Sequence, residues 1–455
     1  MEKRELTQEY IDHLSHKVDE FSQVDPSLYG KYDVKRGLRN ANGTGVLVGL
    51  TTVGNVSSYI IENDEKVAIP GKLSYRGIEI RDIIAGLKGR RMGFEEVIFL
   101  LLFSKLPNKE EFETFCDTIA SYRELPYGFT EDMILKAPSK DIMNKLARGV
   151  LSLYSYDNNP DDTSIPNVIR QIIQLIARLS TIAAYGYQAK KHYFDGKSLV
   201  LHRCKDEYSI AENFLHLIRT NRKFTPLEAE ILDLMLILHA EHGGGNNSTF
   251  TTHVVTSSGT DVYSAIAAAI GSLKGPRHGG ANIKVVEMME DLCENVADWE
   301  SDEEIMNHLA KILDKKAYDH SGLIYGMGHA VYTISDPRAE LLREKARELA
   351  EEKGAMKQFR VYEAVERLAP VVINRKTNKI ICANVDLYSG FVYQMLNIPK
   401  ELFTPLFAIS RIAGWSAHIL EEISMNKKIM RPAYKCVSKD TTYTPLEEIE
   451  KFTNK

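Results

Sequence analysis

Residues 166–189 read PNVIRQIIQLIARLSTIAAYGYQA, and the way this run folds decides the class of the whole chain. Apolar residues recur at i, i+3 and i+4, as in Ile172, Leu175 and Ile176. That is the repeat of an amphipathic helix, not the alternation of a half-buried strand. The same period runs through GFEEVIFLLLFSKL (93–106), KDIMNKLARGVLSLYS (140–155) and TPLEAEILDLMLILHAEH (225–242), with Pro or Gly clusters between them. Strands and helices do not alternate, which argues against a doubly wound sheet and for a predominantly helical, all-α fold. The dense β-branched stretches, TGVLVGLTTVGNVSSYII (44–61) and KVAIPGKLSYRG (66–77), predict two or three short strands ahead of the helices.

From 280 to 379 the helical segments become shorter and more charged, as in NIKVVEMMEDLCENV and DPRAELLREKARELAEEKG. More apolar helices then return at VDLYSGFVYQMLNI and ELFTPLFAISRIAGWSAHILEEI. The expected organisation is an N-terminal helical arm (1–45) and a large helical domain (46–279 and 380–455) with a small helical domain (280–379) inserted into it. Insertion predicts an active-site cleft where the chain crosses between domains, near Gly279 and Asp386.

Composition narrows the function. The 455 residues carry 57 Lys and Arg against 62 Asp and Glu, a net charge of -5, so nothing global favours nucleic acid or an anionic membrane. The five cysteines are scattered without a C-x-x-C pair, which argues against a disulfide framework or a thiolate metal site. No run approaches the ~18–20 apolar residues of a membrane span, and the charged N-terminus lacks a signal-peptide core. A soluble cytoplasmic protein without metal or cofactor is expected.

Four polar clusters interrupt the helical pattern. In LHAEHGGGNNSTFTTH, His239 and His242 stand three apart before a glycine run, a placement open to metal binding or to helix capping. In SLKGPRHGGAN, neither a Walker nor a dinucleotide glycine pattern is present. His278 there precedes a helix start, where the macrodipole favours a neutral imidazole able to donate to a carbonyl. In YGMGHAVYTISDPRAELL, glycines flank the approach to His329, and Asp336-Pro337 signals a helix start with Arg338 in its first turn. Arg338 there needs an anion, from Asp336 or from a ligand. Asp386 opens the helix of ANVDLYSGFVYQM, as an N-cap or as a base whose pKa burial would have to raise. Arg411 lies on an apolar helix and needs a partner, either a ligand carboxylate or an acid such as Glu421 or Glu422. Arg431 precedes Pro432 in IMRPAY. Two loop histidines, a helix-start aspartate and three arginines suit proton abstraction next to a carbonyl and the holding of a polyanionic acceptor.

These motifs, with GKLSYRGIEIRDI (71–83), occur in the order and spacing of the citrate synthase family, of the si type, and the chain resembles it from about 45 to 435. The resemblance implies a large and a small helical domain, a cleft and a homodimer. It implies that acetyl-CoA condenses with oxaloacetate and that citryl-CoA is hydrolysed to citrate and CoA, the CoA ester being a substrate and no cofactor being used. Asp386 would take the methyl proton, His278 hold the thioester carbonyl, and His329 polarise the ketone. His242, Arg338 and Arg411 would bind carboxylates, Phe407 line the pocket, and Arg431 reach the other subunit's site. 2-Methylcitrate synthase, using propionyl-CoA, shares these features. The chain departs from many relatives at Cys382-Ala383, where Tyr-Pro is common, and at YTIS, where a lysine often precedes DPR.

Overall fold

The computed structural model describes residues 6–21, 23–40, 43–62, 65–425 and 428–446, so the outer ends of the predicted arm and tail lie outside the described residues. The chain forms two units, Met1–Gly49 with Arg431–Lys455, and Leu50–Met430. The first holds α1 (Gln8–Phe21) and α2 (Ser27–Lys31), and its two segments meet where the Lys435 ammonium stands 5.9 Å from the Tyr32 ring centre. Arg431 belongs to this unit.

The second unit opens with a three-stranded antiparallel sheet, β1 (Gly54–Glu62), β2 (Glu65–Tyr75) and β3 (Ile78–Glu79). The predicted first strand begins ten residues later than the sequence pattern from Thr44 suggests: its register with β2 starts at Gly54, opposite Tyr75, where β2 ends, and Gly45 pairs instead with Arg39 in an isolated bridge. Everything after the sheet is helical: α3 (Ile80–Leu87), α4 (Gly93–Phe103), α5 (Lys109–Ser121), α6 (Ile142–Leu153), α7 (Ile165–Asp195), α8 (Ile210–Ile218), α9 (Pro226–His239), α10 (Asn247–Thr256) and α11 (Val262–Lys274). Then come α12 (Ala281–Asn295), α13 (Asp302–Leu313), α14 (Pro337–Glu352), α15 (Met356–Thr377), α16 (Asp386–Met395) and α17 (Phe403–Met425). The fold is all-α with a minor sheet, as the helical period predicts. Among the described residues no helix is long and apolar enough to cross a membrane.

Helix α17 is buried on almost every side and accordingly central, packing on α4, α7, α9, α10 and α11. Helix α16 packs on α12, α14 and α15, so the helix that opens at Asp386 joins the charged helices that precede it in sequence. The sheet supports one of the predicted loops. Ser58 Oγ donates to Val331 O at 2.5 Å, and Gly71 lies so close to the same loop that an added Cβ would stand 2.2 Å from Ser335 O. No side chain fits at position 71, which lets the 331–335 backbone lie flat against β2.

Candidate active site

Helix α9 ends at His239, whose Nδ1 donates to Met235 O at 2.9 Å across the last turn. Burial keeps this imidazole neutral, with a pKa pushed down to about 3. Three residues on, His242 is also buried, and burial together with the nearby Arg338 charge holds its pKa well below the usual range. Its Nε2 meets the Tyr332 hydroxyl at 3.3 Å. Among the described residues, the group of three donors close enough to hold a metal includes neither histidine, and His239 closes the last turn of α9 as a capping residue does.

The SLKGPRHGGAN loop links α11 to α12. Gly279 N donates to Leu273 O at 3.0 Å, and an added Cβ there would stand 2.4 Å from the same oxygen, so glycine alone permits this tight return. The return presents His278, whose Nε2 accepts from Ser248 N at 3.3 Å and stands 3.0 Å from Ser248 Oγ. Trp415 Nε1 fixes the same hydroxyl at 3.1 Å. Burial, assisted by the Arg411 charge, pushes the His278 pKa down to about 4. A neutral ring that accepts at Nε2 carries its proton on Nδ1, so His278 is a donor through that atom.

The next loop places His329. Val331 N and Tyr332 N donate to its Nδ1 at 3.0 and 3.2 Å, which assigns the ring proton to Nε2. Tyr332 stacks on this ring at 4.7 Å, and His242 stands edge-on to it at 5.0 Å. The loop ends where Asp336 caps α14 through Arg338 N at 3.0 Å. The same carboxylate takes the Arg338 guanidinium as a buried fork, Nε at 3.0 Å and Nη2 at 2.7 Å. Of the two partners open to Arg338, the internal one is present.

A short antiparallel bridge ties this loop to the one before α16. Met327 pairs with Ala383, Gly328 N donates to Cys382 O at 2.8 Å, and Asn384 N donates to Gly326 O at 2.9 Å. The Cys382-Ala383 departure thus falls in backbone pairing, where side-chain identity matters least. Asp386 is the first helical residue, after Val385, and caps nothing. Its half-buried carboxylate makes no hydrogen bond among the described residues. Burial raises its pKa to about 6 against the opposing pull of Arg338.

Arg411 on α17 is 0% exposed. Its Nε donates to His239 O at 2.6 Å, its guanidinium lies 4.8 Å from the Phe407 ring centre, and both terminal nitrogens lack a partner. Glu421 and Glu422, the acids available to it by sequence proximity, are engaged with Thr52 and His253 instead. Phe407 also stands against His239 at 4.9 Å and His278 at 6.2 Å. The fold therefore brings together His242, His278, His329, Arg338, Asp386, Phe407 and Arg411. Arg431 belongs to the other unit. Tyr332, Ser248 and Trp415 are added to the set by the structure. Tyr332 stands three residues after His329 and Ser248 just past the glycine run, but only their contacts reveal their parts.

Such a site can take a proton from carbon with one carboxylate, offer two neutral imidazole donors to carbonyl oxygens, and hold a dianion with two buried arginines. Residues 43–433 match the family described as citrate synthase, C-terminal domain. The chain belongs to the citrate synthase family. It is 35% identical to a citrate synthase of Synechocystis sp. over 83% of this chain and 88% of that one. It is also 34% identical to 2-methylcitrate synthase 1 of Corynebacterium glutamicum, over 79% and 87%. Among solved structures, the Thermoplasma acidophilum citrate synthase, in ternary complex with carboxymethyl coenzyme A and oxaloacetate, superimposes with a TM-score of 0.74 at 25% identity, covering 91% of this chain and 99% of that one. As a citrate synthase family member the chain is an acyl-transferring enzyme.

Proposed function

We propose that the site condenses acetyl-CoA with oxaloacetate and hydrolyses the resulting citryl-CoA to citrate and CoA. The observation that carries this reading is the Asp386 carboxylate, raised to about 6 and without a hydrogen bond, in a site whose histidine His278 is a neutral donor. Asp386 removes a methyl proton of the thioester while His278 Nδ1–H bonds the oxygen that becomes the enol. The enol carbon attacks the ketone of oxaloacetate, and His329 Nε2–H polarises that ketone and delivers its proton to the alkoxide. Arg338, Arg411 and His242 bind the carboxylates, and the unpartnered terminal nitrogens of Arg411 suit a bidentate carboxylate. Water then cleaves the thioester, and no cofactor takes part.

The wider arrangement belongs to the same proposal. A large helical domain, 46–279 and 380–455, carries Arg411 and Asp386, and a small one, 280–379, carries His329 and Arg338, with α16 of the large domain packed on helices of the small one. The enzyme acts as a cytoplasmic homodimer in which the partner subunit's Arg431 completes each site.

The test is release of free thiol from acetyl-CoA that depends on oxaloacetate. No release at micromolar enzyme sinks the reading. A second reading, 2-methylcitrate synthesis from propionyl-CoA, is favoured by the Corynebacterium relative. One methylene in an apolar pocket is worth only about 1–3 kcal/mol, so kcat/KM for the two acyl-CoAs must decide, and acetyl-CoA is expected to be preferred.

A further inference from the structure

A second polar cluster lies where α10 meets α17, and the proposed chemistry makes no use of it. His253 Nδ1 is 2.8 Å from Glu422 Oε2, and His418 Nε2 is 3.1 Å from Glu241 Oε1. Ionised carboxylates only accept, so each imidazole must place its proton on the nitrogen facing its carboxylate. The other two nitrogens, His253 Nε2 and His418 Nδ1, then face each other at 3.1 Å, lone pair to lone pair. Glu421 adds a third base. Its Oε2 is buried without a hydrogen bond and stands 3.7 Å from His418 Nδ1. His418 itself is 0% exposed.

Three Lewis bases thus converge within 4.8 Å of one another, and a positive centre must hold them there. Zinc bonds to imidazole nitrogen and carboxylate oxygen at about 2.0–2.2 Å, which sets tetrahedral donors about 3.4 Å apart. Two of the three separations, 3.1 and 3.7 Å, bracket that value, and the third lies within 4.8 Å. Metal-bound histidines characteristically give their remaining N–H to a carboxylate, and both of these do. We propose that His253 Nε2, His418 Nδ1 and Glu421 Oε2 bind one divalent cation of the zinc class, with water as fourth donor and Glu241 and Glu422 orienting the two rings. The competing occupant is a single proton on His418. Burial opposes that charge, but Glu241 and Glu421 hold the pKa up at about 9. A proton directed at His253 leaves Glu421 Oε2 with only a 3.7 Å ion pair to His418 and no hydrogen bond, whereas a metal takes it as a direct ligand, which is why the metal is favoured.

The test uses the full-length protein, purified without chelator and dialysed exhaustively, with metal content read by mass spectrometry. One zinc per chain is expected, and protein refolded with Co²⁺ should show the visible absorption of a tetrahedral cobalt site. His253→Gln and Glu421→Gln should each abolish that absorption and retain less than a tenth of the zinc. Should either variant fail to fold by circular dichroism, Glu422→Gln spares the three ligands and is expected to weaken binding about 10–100-fold. Wild-type protein that retains no zinc, or takes up cobalt no better than the variants, overturns the proposal and leaves the proton in place. The readout is metal and not turnover, so it stands apart from the assignment of Asp386.

Discussion

With Asp386 as the proposed base, the pH response of the enzyme is expected to follow the ionisation of this carboxyl. A base must be ionised to accept a proton, and burial has moved this carboxyl up to about 6. kcat/KM is therefore expected to be flat above that value and to fall about tenfold per pH unit below it. Asp386→Asn should lower kcat by about 10²–10⁴ and remove this limb, as measured by thiol release across pH 4.5–8 (a range of roughly this width suffices). A limb centred near the model-peptide value of ~4 would show that the carboxyl is solvated in the working enzyme. Arg411 makes the opposite kind of statement, since its terminal nitrogens are buried without partners. Replacing a buried ion pair by apolar side chains of similar volume is often neutral or stabilising by about 1–4 kcal/mol, and the Arg411 charge, with one hydrogen bond from Nε to His239 O, is compensated less fully than such a pair. Arg411→Met should accordingly melt no lower than wild type without ligand, yet lose the thermal protection that oxaloacetate gives. A variant that melts lower and is still protected by oxaloacetate would remove Arg411 from the binding set. The identities of both residues were legible in the sequence, one through a helix start and the other through a charge on an apolar stripe. Their environments were not, because Glu241, the acid that acts most strongly on Arg411, precedes it by 170 positions.

At the scale of elements, the catalytic geometry depends on two loops being held together. Gly326 has φ +79°, and a Cβ there would stand 3.0 Å from both Leu387 Cα and Val285 Cγ2. Gly326→Ala is expected to cost about 1–3 kcal/mol through backbone strain and to push the His329 loop off the start of α16, lowering kcat more than it raises KM. Gly354→Ala is the matched control, with φ +67° and nothing within 4 Å, so it should share the strain and keep kcat. Equal kcat in the two variants would mean that the bridge is structural only. The helices themselves were readable from the 3.6-residue period, as α7 and α17 illustrate. The antiparallel bridge from Met327 to Ala383 was not, since a single pair of residues has no period to detect. The late start of β1 escaped for a related reason: β-branched composition shows that a segment can pair, whereas a strand ends where its partner does.

For the molecule as a whole, the distribution of the site over different helices has a mechanical consequence. Arg411 sits on α17, whereas Arg338 and Asp386 sit on α14 and α16, which pack on each other. Until a ligand arrives, Arg338 is satisfied by Asp336 and the terminal nitrogens of Arg411 by nothing, so a dicarboxylate gains by drawing the two helix groups together. Oxaloacetate is therefore expected to close the small helical group onto the large one before the CoA ester reacts, as lids commonly do to exclude water. Three observables follow from one closure. The radius of gyration from solution scattering should fall, and proteolysis within 280–379 should slow. The melting temperature should rise as binding to the native state requires, by the equivalent of about 2.7 kcal/mol at a hundredfold excess over Kd. Acetyl-CoA alone should move neither scattering nor proteolysis, because nothing in it bridges the two arginines. If oxaloacetate stabilises the protein against heat but leaves scattering and proteolysis unchanged, the dicarboxylate binds a site that is already closed, and the order of events must be assigned to the CoA ester instead.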